Sequence, residues 1–178
     1  MRKRIGLVGC GKSKLSRPAP AKDLYIGPLF RLSRAWVERF CDEWGILSAK
    51  HGLVMPNQIV EPYDVSMASL DKDYRRQWTL HTNWLLYERF KDLWELVRGP
   101  VETVPMEDGH LVEHQPIIGL RGVEFVFLAG EAYASCLSDP FDRAYPATFP
   151  LRGMGVGKRL QWLSREVTQP THVQISMF

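Results

Sequence analysis

Residues suited to acid–base chemistry follow a short apolar segment in the first third of the chain. Lys50 and His51 come directly after Gly45–Ser48, a predicted strand, and Asp64 follows soon after. A histidine can act as acid or base near neutral pH, a carboxylate can position water, and a desolvated lysine can act as a nucleophile. We predict that Asp64, His51 and Lys50 are catalytic residues. The structural alternatives, taken one residue at a time, are that Ser48 caps a helix, Lys50 is a solvated surface lysine and Asp64 is an acidic residue of a turn.

The segment Gly6–Ser13, GLVGCGKS, matches the phosphate-loop pattern G-x-x-x-x-G-K-[ST]. A phosphate loop needs a complete strand before its first glycine and a helix that begins at the lysine. Here the apolar run Ile5–Val8 crosses that glycine, and the prolines in KLSRPAPAK exclude a long helix. We therefore interpret the match as accidental and predict a strand ending at Gly9 or Cys10, followed by an anion-binding loop or a plain turn. The predicted nucleobase- or DNA-binding residues of this loop are Cys10, Gly11, Lys12, Ser13 and Lys14.

Further binding residues are predicted around the strongest apolar segment, Val123–Leu128. Gly130 follows it and permits close approach of a ligand, and Tyr133 can stack on a base. The alternative is a helix start with a packed tyrosine. The other predicted nucleobase- or DNA-binding residues are Tyr25, Ser48 and Tyr63.

The composition is typical of a folded globular protein. The chain has 178 residues, 45% hydrophobic and 11% aromatic, enough for one domain with a core. Because no apolar run has the length of a membrane span or a secretory signal, we expect a cytoplasmic protein with no membrane partner. The three cysteines lack metal-like spacing and are expected to be reduced thiols. We predict neither a metal nor a cofactor.

Positive charge is concentrated near the N-terminus. Residues 1–34 contain nine basic residues and one acid, a net charge of +8, whereas the whole chain carries +3. Such a segment indicates a polyanionic partner, a class that includes DNA. The alternative is that these residues solvate the surface and balance the acidic remainder.

The spacing of apolar residues predicts alternating strands and helices. The predicted strands are Arg4–Cys10, Gly45–Ser48 and Val123–Leu128. The predicted helices run from Pro28 to about Glu43, over Asp71–Val97 (as one or two helices), from Gly130 to Leu137 and over Val156–Val167, with irregular segments at residues 51–67 and 140–153. This alternation indicates an α/β fold, a three-layer α/β/α sandwich with a mainly parallel central sheet. Ligands of such folds bind at the carboxyl ends of the strands, where the candidate residues above would meet.

Residues 101–116 are predicted to form a hairpin insertion. Segments 101–106 and 110–115 flank Asp108–Gly109, a favourable hairpin turn. The stretch His110–His114 matches H-x-x-E-H, a pattern of zinc proteases. A surface hairpin is the favoured interpretation, because nearby prolines and glycine oppose the helix that such a zinc site requires. We predict one α/β domain at residues 1–168 and a flexible tail at residues 169–178.

The end of the tail, QISMF, is apolar and follows a proline-containing linker. Exposed apolar residues on a tether are typical of a peptide that docks into a groove. The string resembles the bacterial sliding-clamp-binding peptide, which has Gln, an aliphatic residue, Ser or Asp, then Leu or Met and Phe. The alternative is that the tail folds back as an edge strand. The predicted clamp-binding residues are Gln174, Ile175, Ser176, Met177 and Phe178.

Several strings between residues 8 and 163 resemble an uncharacterised family, domain-of-unknown-function family 6884. These strings are VGCGKSKL, DLYIGPLF, ILSAKHGLV, EPYD, FLAGEAY and PLRGMGVGKRLQWL. Members of that family more often have Ser at the position of Gly11. The first loop also resembles the Cys-Ser-x-x-Lys loop of the archaeosine synthase core domain. That likeness implies a uracil-DNA-glycosylase-like sandwich with a nucleobase-sized pocket, and carries over none of the glycosylase's catalytic motifs.

Together these features favour a DNA-processing enzyme, a nucleobase N-glycosylase recruited by the sliding clamp. Its substrate would be a damaged or modified base, flipped into a pocket at the strand ends. One alternative is a non-catalytic DNA-binding protein or clamp adaptor. Another is a base-exchange or nucleoside-processing enzyme that acts on free nucleotides or tRNA.

Overall fold

The chain has a mixed α/β fold in its computed structural model, which describes residues 2–93, 95–98, 100–105, 109–114, 117–144 and 146–169. The strands are β1 (Lys3–Gly9), β2 (Ala19–Pro20), β3 (Glu43–Ser48), β4 (Gly52–Val54), β5 (Ile59–Val60), β6 (Glu95–Arg98), β7 (Glu102–Pro105), β8 (Leu111–His114), β9 (Ile117–Arg121), β10 (Val123–Leu128) and β11 (Ala147–Thr148). The helices are α1 (Ala21–Leu24), α2 (Pro28–Phe40), α3 (Lys72–Phe90), α4 (Glu131–Ala144) and α5 (Val156–Thr168), with 3₁₀ turns at Met67–Ser69 and Lys91–Leu93. The clamp-like peptide Gln174–Phe178 and the turn residue Asp108 lie outside the described residues.

A five-stranded sheet with the order β11-β10-β1-β3-β4 lies at the centre of the fold. Strand β1 is parallel to both β10 and β3, β11 is parallel to β10, and β4 is antiparallel to β3. Val8 lies opposite Leu128 of β10, and Gly9 lies opposite Leu47 of β3. The carboxyl ends of these three strands therefore share one edge, and the predicted α/β fold with a mostly parallel sheet is confirmed.

The sheet is buried on both faces, because alternate residues of its strands belong to two different core clusters. In β1, Leu7 belongs to one cluster and its neighbour Val8 to the other, as expected when successive side chains point to opposite faces. Helices α3 and α4 contribute to the Leu7 cluster, and helices α2 and α5 contribute to the Val8 cluster. No described helix combines the length and the apolar character needed to cross a membrane.

Two of the predicted helices are confirmed at their starts. Helix α2 begins at Pro28, where a missing N–H costs nothing, and α5 begins at Val156 as predicted. Helix α2 ends at Phe40 instead of near Glu43, because Glu43 already pairs with Ile5 as the first residue of β3.

The prediction of helix up to Val97 was wrong. Helix α3 ends at Phe90, and Val97 belongs to β6, where it lies opposite Gly119 of the antiparallel strand β9. The apolar spacing near Val97 is short enough to suit either a strand or a helix. Its sheet partner, about twenty residues further along the chain, decides between them.

Two loop predictions are also corrected by the structure, and a third is confirmed. Helix α4 continues through Pro140 to Ala144, although we expected it to end at Leu137; proline removes one intrahelical hydrogen bond without forbidding the helix. The irregular segment 51–67 contains β4 and β5, of which β4 pairs with β3. The predicted hairpin is confirmed, since β7 pairs with β8 and Val104 lies opposite Val112.

Candidate functional site

The ends of β1, β3 and β10 are joined by direct contacts. The backbone N–H of Cys10 donates a hydrogen bond of 2.9 Å to the carbonyl of Leu47. A methyl group at Gly9 would lie 3.2 Å from the Cβ of Ala129, so a side chain at this glycine would press on the end of β10. The loops that follow these strands are thereby brought to one place.

The first glycine of the phosphate-loop pattern has a packing role. Gly6 is buried inside β1, and a Cβ added there would lie 2.4 Å from Cγ1 of Val37 in helix α2. No helix begins at Lys12; residue 14 instead forms a β-bridge with Tyr25. The structure therefore confirms that β1 passes through Gly6 and ends at Gly9.

The basic loop after β1 is held by backbone hydrogen bonds to the segment that precedes α2. The N–H of Leu15 donates to the carbonyl of Leu24 at 2.9 Å, and the N–H of Ile26 donates to the carbonyl of Ser13 at 3.0 Å. These bonds restrict the loop conformation, so Lys12 and Lys14 are presented from a supported backbone.

Two adjoining clefts lie at this edge of the sheet. The first, which we call the Asp64 cleft, has a volume of about 310 Å³, and the second, the Arg159 cleft, has about 280 Å³. Charged groups line both: Lys12, Lys14, Asp64 and Glu131 in the Asp64 cleft, and Lys12 with Arg159 in the other. The two clefts share Cys10, Gly11, Lys12, Gly130 and Tyr133.

Tyr133 forms part of the wall common to both clefts. Its hydroxyl lies 3.1 Å from Sγ of Cys10, and its ring packs edge-on against Trp78 at a centroid distance of 5.5 Å. Burial, followed by the neighbouring Cys10, raises the pKa of Tyr133 above its ordinary value of 10.0. The hydroxyl therefore stays protonated and can donate a hydrogen bond at neutral pH.

A buried hydrogen-bond network lies behind the Asp64 cleft. The hydroxyl of Tyr63 lies 2.7 Å from Oγ of Ser48 and 2.8 Å from the hydroxyl of Tyr25. Oγ of Ser48 also accepts hydrogen bonds from the backbone N–H groups of Lys50 and His51. Burial raises the pKa of Tyr25 to about 12 and is also the largest cause of the raised pKa of Tyr63. This network ties the segment just before Asp64 to the end of β3.

Three basic side chains surround the ring of Tyr63. Nζ of Lys14 lies 4.4 Å from the ring centroid and Nζ of Lys50 lies 5.8 Å from it. The imidazole of His51 meets the same ring edge-on at 5.3 Å between centroids. An aromatic face attracts cations, so Tyr63 helps to hold these lysines near the strand ends.

Replacing Tyr63 with Phe is expected to lower the free energy of unfolding by about 1–3 kcal/mol. The change keeps the ring but leaves the buried hydroxyl of Tyr25 without the Tyr63 hydroxyl, and Ser48 loses its 2.7 Å contact. Tyr74→Phe is the matched control, because it loses one 3.3 Å bond to Ala49 from a more exposed ring and should cost less than about 0.5 kcal/mol. Urea unfolding measures the free energy of unfolding of both variants, provided that its dependence on urea concentration (the m-value) is unchanged. Equal unfolding midpoints for Tyr63→Phe and Tyr74→Phe would contradict a stabilising network.

The pKa of His51 is lowered from 6.5, first by burial and second by the positive charge of Lys50. A lowered pKa means that the unfolded chain binds the proton more readily, so this contribution to stability is present above pH 6.5 and is lost as the pH falls through the folded-state pKa. We expect the His51 signal in an NMR titration to have a midpoint below 6.5, and Lys50→Ala to raise it. His51→Gln assigns the signal, and a midpoint at or above 6.5 would refute the expectation.

The predicted site residues fall into two groups. The first lines the clefts: Cys10, Gly11, Lys12, Ser13, Lys14, Asp64, Gly130 and Tyr133. The second is outside the described linings of the clefts and is joined by contacts around Tyr63 and Ser48: Tyr25, Ser48, Lys50, His51 and Tyr63. Ser48 is 0% exposed and Tyr25 is 1% exposed, so both contact Tyr63 instead of solvent. The described lining of the Asp64 cleft does not include Lys50 or His51.

Some lining residues were not predicted from the sequence. Ser66 and Glu131 line the Asp64 cleft, and Arg159 lines the other cleft. Glu131 directly follows Gly130, so its position after β10 was a usable signal. Arg159 comes from α5, far along the chain, and only the tertiary fold brings it here.

The H-x-x-E-H match lies in the β-hairpin, since Leu111–His114 forms β8. Within the described ranges, no group of three or more His, Cys, Asp or Glu residues is suitable for holding a metal ion.

Comparisons with known proteins place the chain among uncharacterised relatives. Residues 5–96 match the model of a family of unknown function, DUF6884. The chain is 27% identical over 176 residues to the uncharacterized protein YfjM of Bacillus subtilis (strain 168), an alignment that covers 94% of this chain and 97% of that protein. No solved structure matches the chain.

Proposed function

This chain belongs to DUF6884, a family of unknown function, and we propose that it is a DNA-processing enzyme. The proposed activity is that of a nucleobase N-glycosylase, which excises a damaged or modified base from DNA. The proposed architecture is a uracil-DNA-glycosylase-like three-layer α/β/α sandwich. Helices on both sides of a mostly parallel sheet support that architecture.

The Asp64 cleft is the observation on which the proposal rests. It combines two carboxylates, Asp64 and Glu131, with two lysines and the buried aromatic residue Tyr133 in about 310 Å³ at the carboxyl edge of the sheet. Ligands of open α/β sheets bind at this edge. Lysines attract the phosphates of a nucleic acid, and an aromatic wall can contact a base that has been flipped from its stack.

We assign the central chemical role to Asp64. Its carboxylate would accept a proton from water while the water oxygen bonds to C1′ of the sugar. The C1′–N bond breaks, its electron pair leaves with the base, and the proton passes from Asp64 to the departing base. The negative charge of the carboxylate also stabilises the positive charge that develops on the sugar. Lys50, the alternative nucleophile, contacts the ring of Tyr63 and does not belong to the described lining of this cleft, which favours Asp64.

The enzymatic proposal is tested by incubating the full chain with oligonucleotides that carry a panel of damaged and modified bases. Release of a free base, detected by mass spectrometry, is the expected result. A folded protein that binds these oligonucleotides and releases no base would overturn it. Release from free nucleosides but not from DNA would indicate instead the nucleoside-processing alternative, which the small volume of the cleft also suits.

We also propose that the sliding clamp recruits the protein through Gln174–Phe178. The support for this is the sequence of the peptide, whose five positions fit the clamp-binding pattern. In a pull-down with bacterial sliding clamp, the full chain should recover the clamp and a chain lacking Phe178 should not. Equal recovery by the two chains would remove the clamp from the proposal and leave the glycosylase activity to be judged by base release.

A further inference from the structure

Helix α5 presents a basic and aromatic face to solvent next to the candidate site. Lys158, Gln161, Trp162 and Arg165 follow the spacing i, i+3, i+4, i+7, which places their side chains along one side of a helix. Together with Arg152–Met154 these residues line a groove of about 540 Å³, which we call the α5 groove. Over the seven residues from Lys158 to Arg165 the helix rises about 10 Å.

The charge of the α5 groove is predominantly positive. Arg152, Lys158 and Arg165 supply three cations. Two carboxylates face them: Oε1 of Glu131 lies 3.7 Å from Nε of Arg152, and Oε1 of Glu166 lies 3.2 Å from Nη2 of Arg165. Within the described part of the chain, Lys158 forms no salt bridge. The exposed side chains of Arg152 and Arg165 can therefore turn toward a polyanion at little cost, because surface ion pairs are weak.

Trp162 gives the groove an aromatic surface that is held in place from below. It is half-buried, and its ring lies 6.0 Å from that of Trp36, with an interplanar angle of 34°. A fixed aromatic ring between cations is the combination that single-stranded nucleic acids recognise, since the phosphates contact the cations and a base stacks on the ring.

Arg159 and Arg152 connect the groove to the clefts. Nε of Arg159 donates a 2.6 Å hydrogen bond to the carbonyl of Met154, a residue of the groove. Its Nη1 lies only 3.6 Å from the position that a Cβ of Gly130 would occupy, and it lines the Arg159 cleft. Arg152 contacts Glu131 of the Asp64 cleft. A row of cations thus extends from Lys12, across Arg159, to the α5 groove.

We propose that the α5 groove binds the phosphodiester backbone of single-stranded DNA adjoining the base in the Asp64 cleft, with a neighbouring base stacked on Trp162. This inference rests on the proposed function, because it takes the occupant of the cleft to be part of a DNA strand. Lys158 and Arg165 contact phosphates, and Arg159 spans the distance between the groove and the cleft.

The test measures the salt dependence of binding by fluorescence anisotropy, with a labelled 12-nucleotide single-stranded oligothymidine as the probe. The full chain is compared with Lys158→Ala/Arg165→Ala, which removes two phosphate contacts. Each contact contributes about 0.7 to the slope of log K against log salt for single strands, so the slope should fall by about 1.4. The control, Arg2→Ala/Arg121→Ala, removes two exposed cations beside the amino ends of β1 and β10 and should keep the original slope.

Each outcome decides the proposal. A reduced slope for the groove variant alone, with unchanged thermal unfolding, supports it. An unchanged slope, an equal reduction in the control, or a full chain that does not bind the probe overturns it. Base release is measured on the same proteins. If the groove variant binds the probe as tightly as the full chain and still releases base, DNA binding by the α5 groove is refuted and the proposed activity is retained.

Discussion

Gly6→Ala is expected to destabilise the fold by about 3 kcal/mol, at the upper end of the usual cost of overpacking a core. The new Cβ would lie 2.4 Å from Cγ1 and 2.7 Å from Cβ of Val37. A rotamer change can move Cγ1, but Cβ moves only with the backbone of α2, which packs against β1 at this point. Urea unfolding monitored by circular dichroism gives the change in the free energy of unfolding.

Gly11→Ala is the matched control for the same eight-residue segment. A Cβ at Gly11 would meet its nearest atom, Cβ of Phe30, at an ordinary contact distance of 3.6 Å. We expect a change within about 0.5 kcal/mol. If Gly6→Ala were as well tolerated as Gly11→Ala, the packing role of Gly6 would be refuted.

Asp64→Asn is expected to slow base release by a factor of about 10²–10⁴, the usual loss when a positioned general base is removed. The amide has nearly the same shape as the carboxylate. It cannot accept a proton from water, and it has no negative charge to stabilise the positive charge that develops on the sugar. Because Asp64 is exposed at the cleft, its replacement should leave the unfolding midpoint unchanged. Single-turnover base release on the substrate identified in the panel measures the effect.

Glu61→Gln is the control for Asp64→Asn. Glu61 is an exposed carboxylate three residues earlier in the same segment, and the described lining of the Asp64 cleft does not include it. It should release base at the rate of the unchanged chain. Equal rates for Asp64→Asn and the unchanged chain would transfer the catalytic role to another group, and Lys50→Ala would then be the next variant to measure.

The elements predicted correctly are those whose signal is local. The apolar run from Ile5 to Val8 predicts β1, the proline at position 28 predicts the start of α2, and Val123–Leu128 predicts β10. In each case the residues that determine the element lie within it or beside it. The strands β4, β6 and β9 were missed, because each short segment is stabilised by a partner strand, and β6 and β9 are separated by the whole hairpin.

Local patterns in the sequence were enough to predict the class of fold and the strand-end loops that carry the polar residues. They also show that GLVGCGKS lacks the strand and helix boundaries of a phosphate loop. Which of the polar residues share a cleft depends on the tertiary structure. Asp64 and Tyr133 line the Asp64 cleft together, whereas Lys50 and His51 contact the ring of Tyr63 and do not belong to the described lining. The tertiary structure also brings Arg159 into the lining of the neighbouring Arg159 cleft. Local patterns determine where a chain becomes strand or helix, but parallel pairing and helix packing bring distant segments together, and that geometry depends on contacts between residues far apart in the sequence.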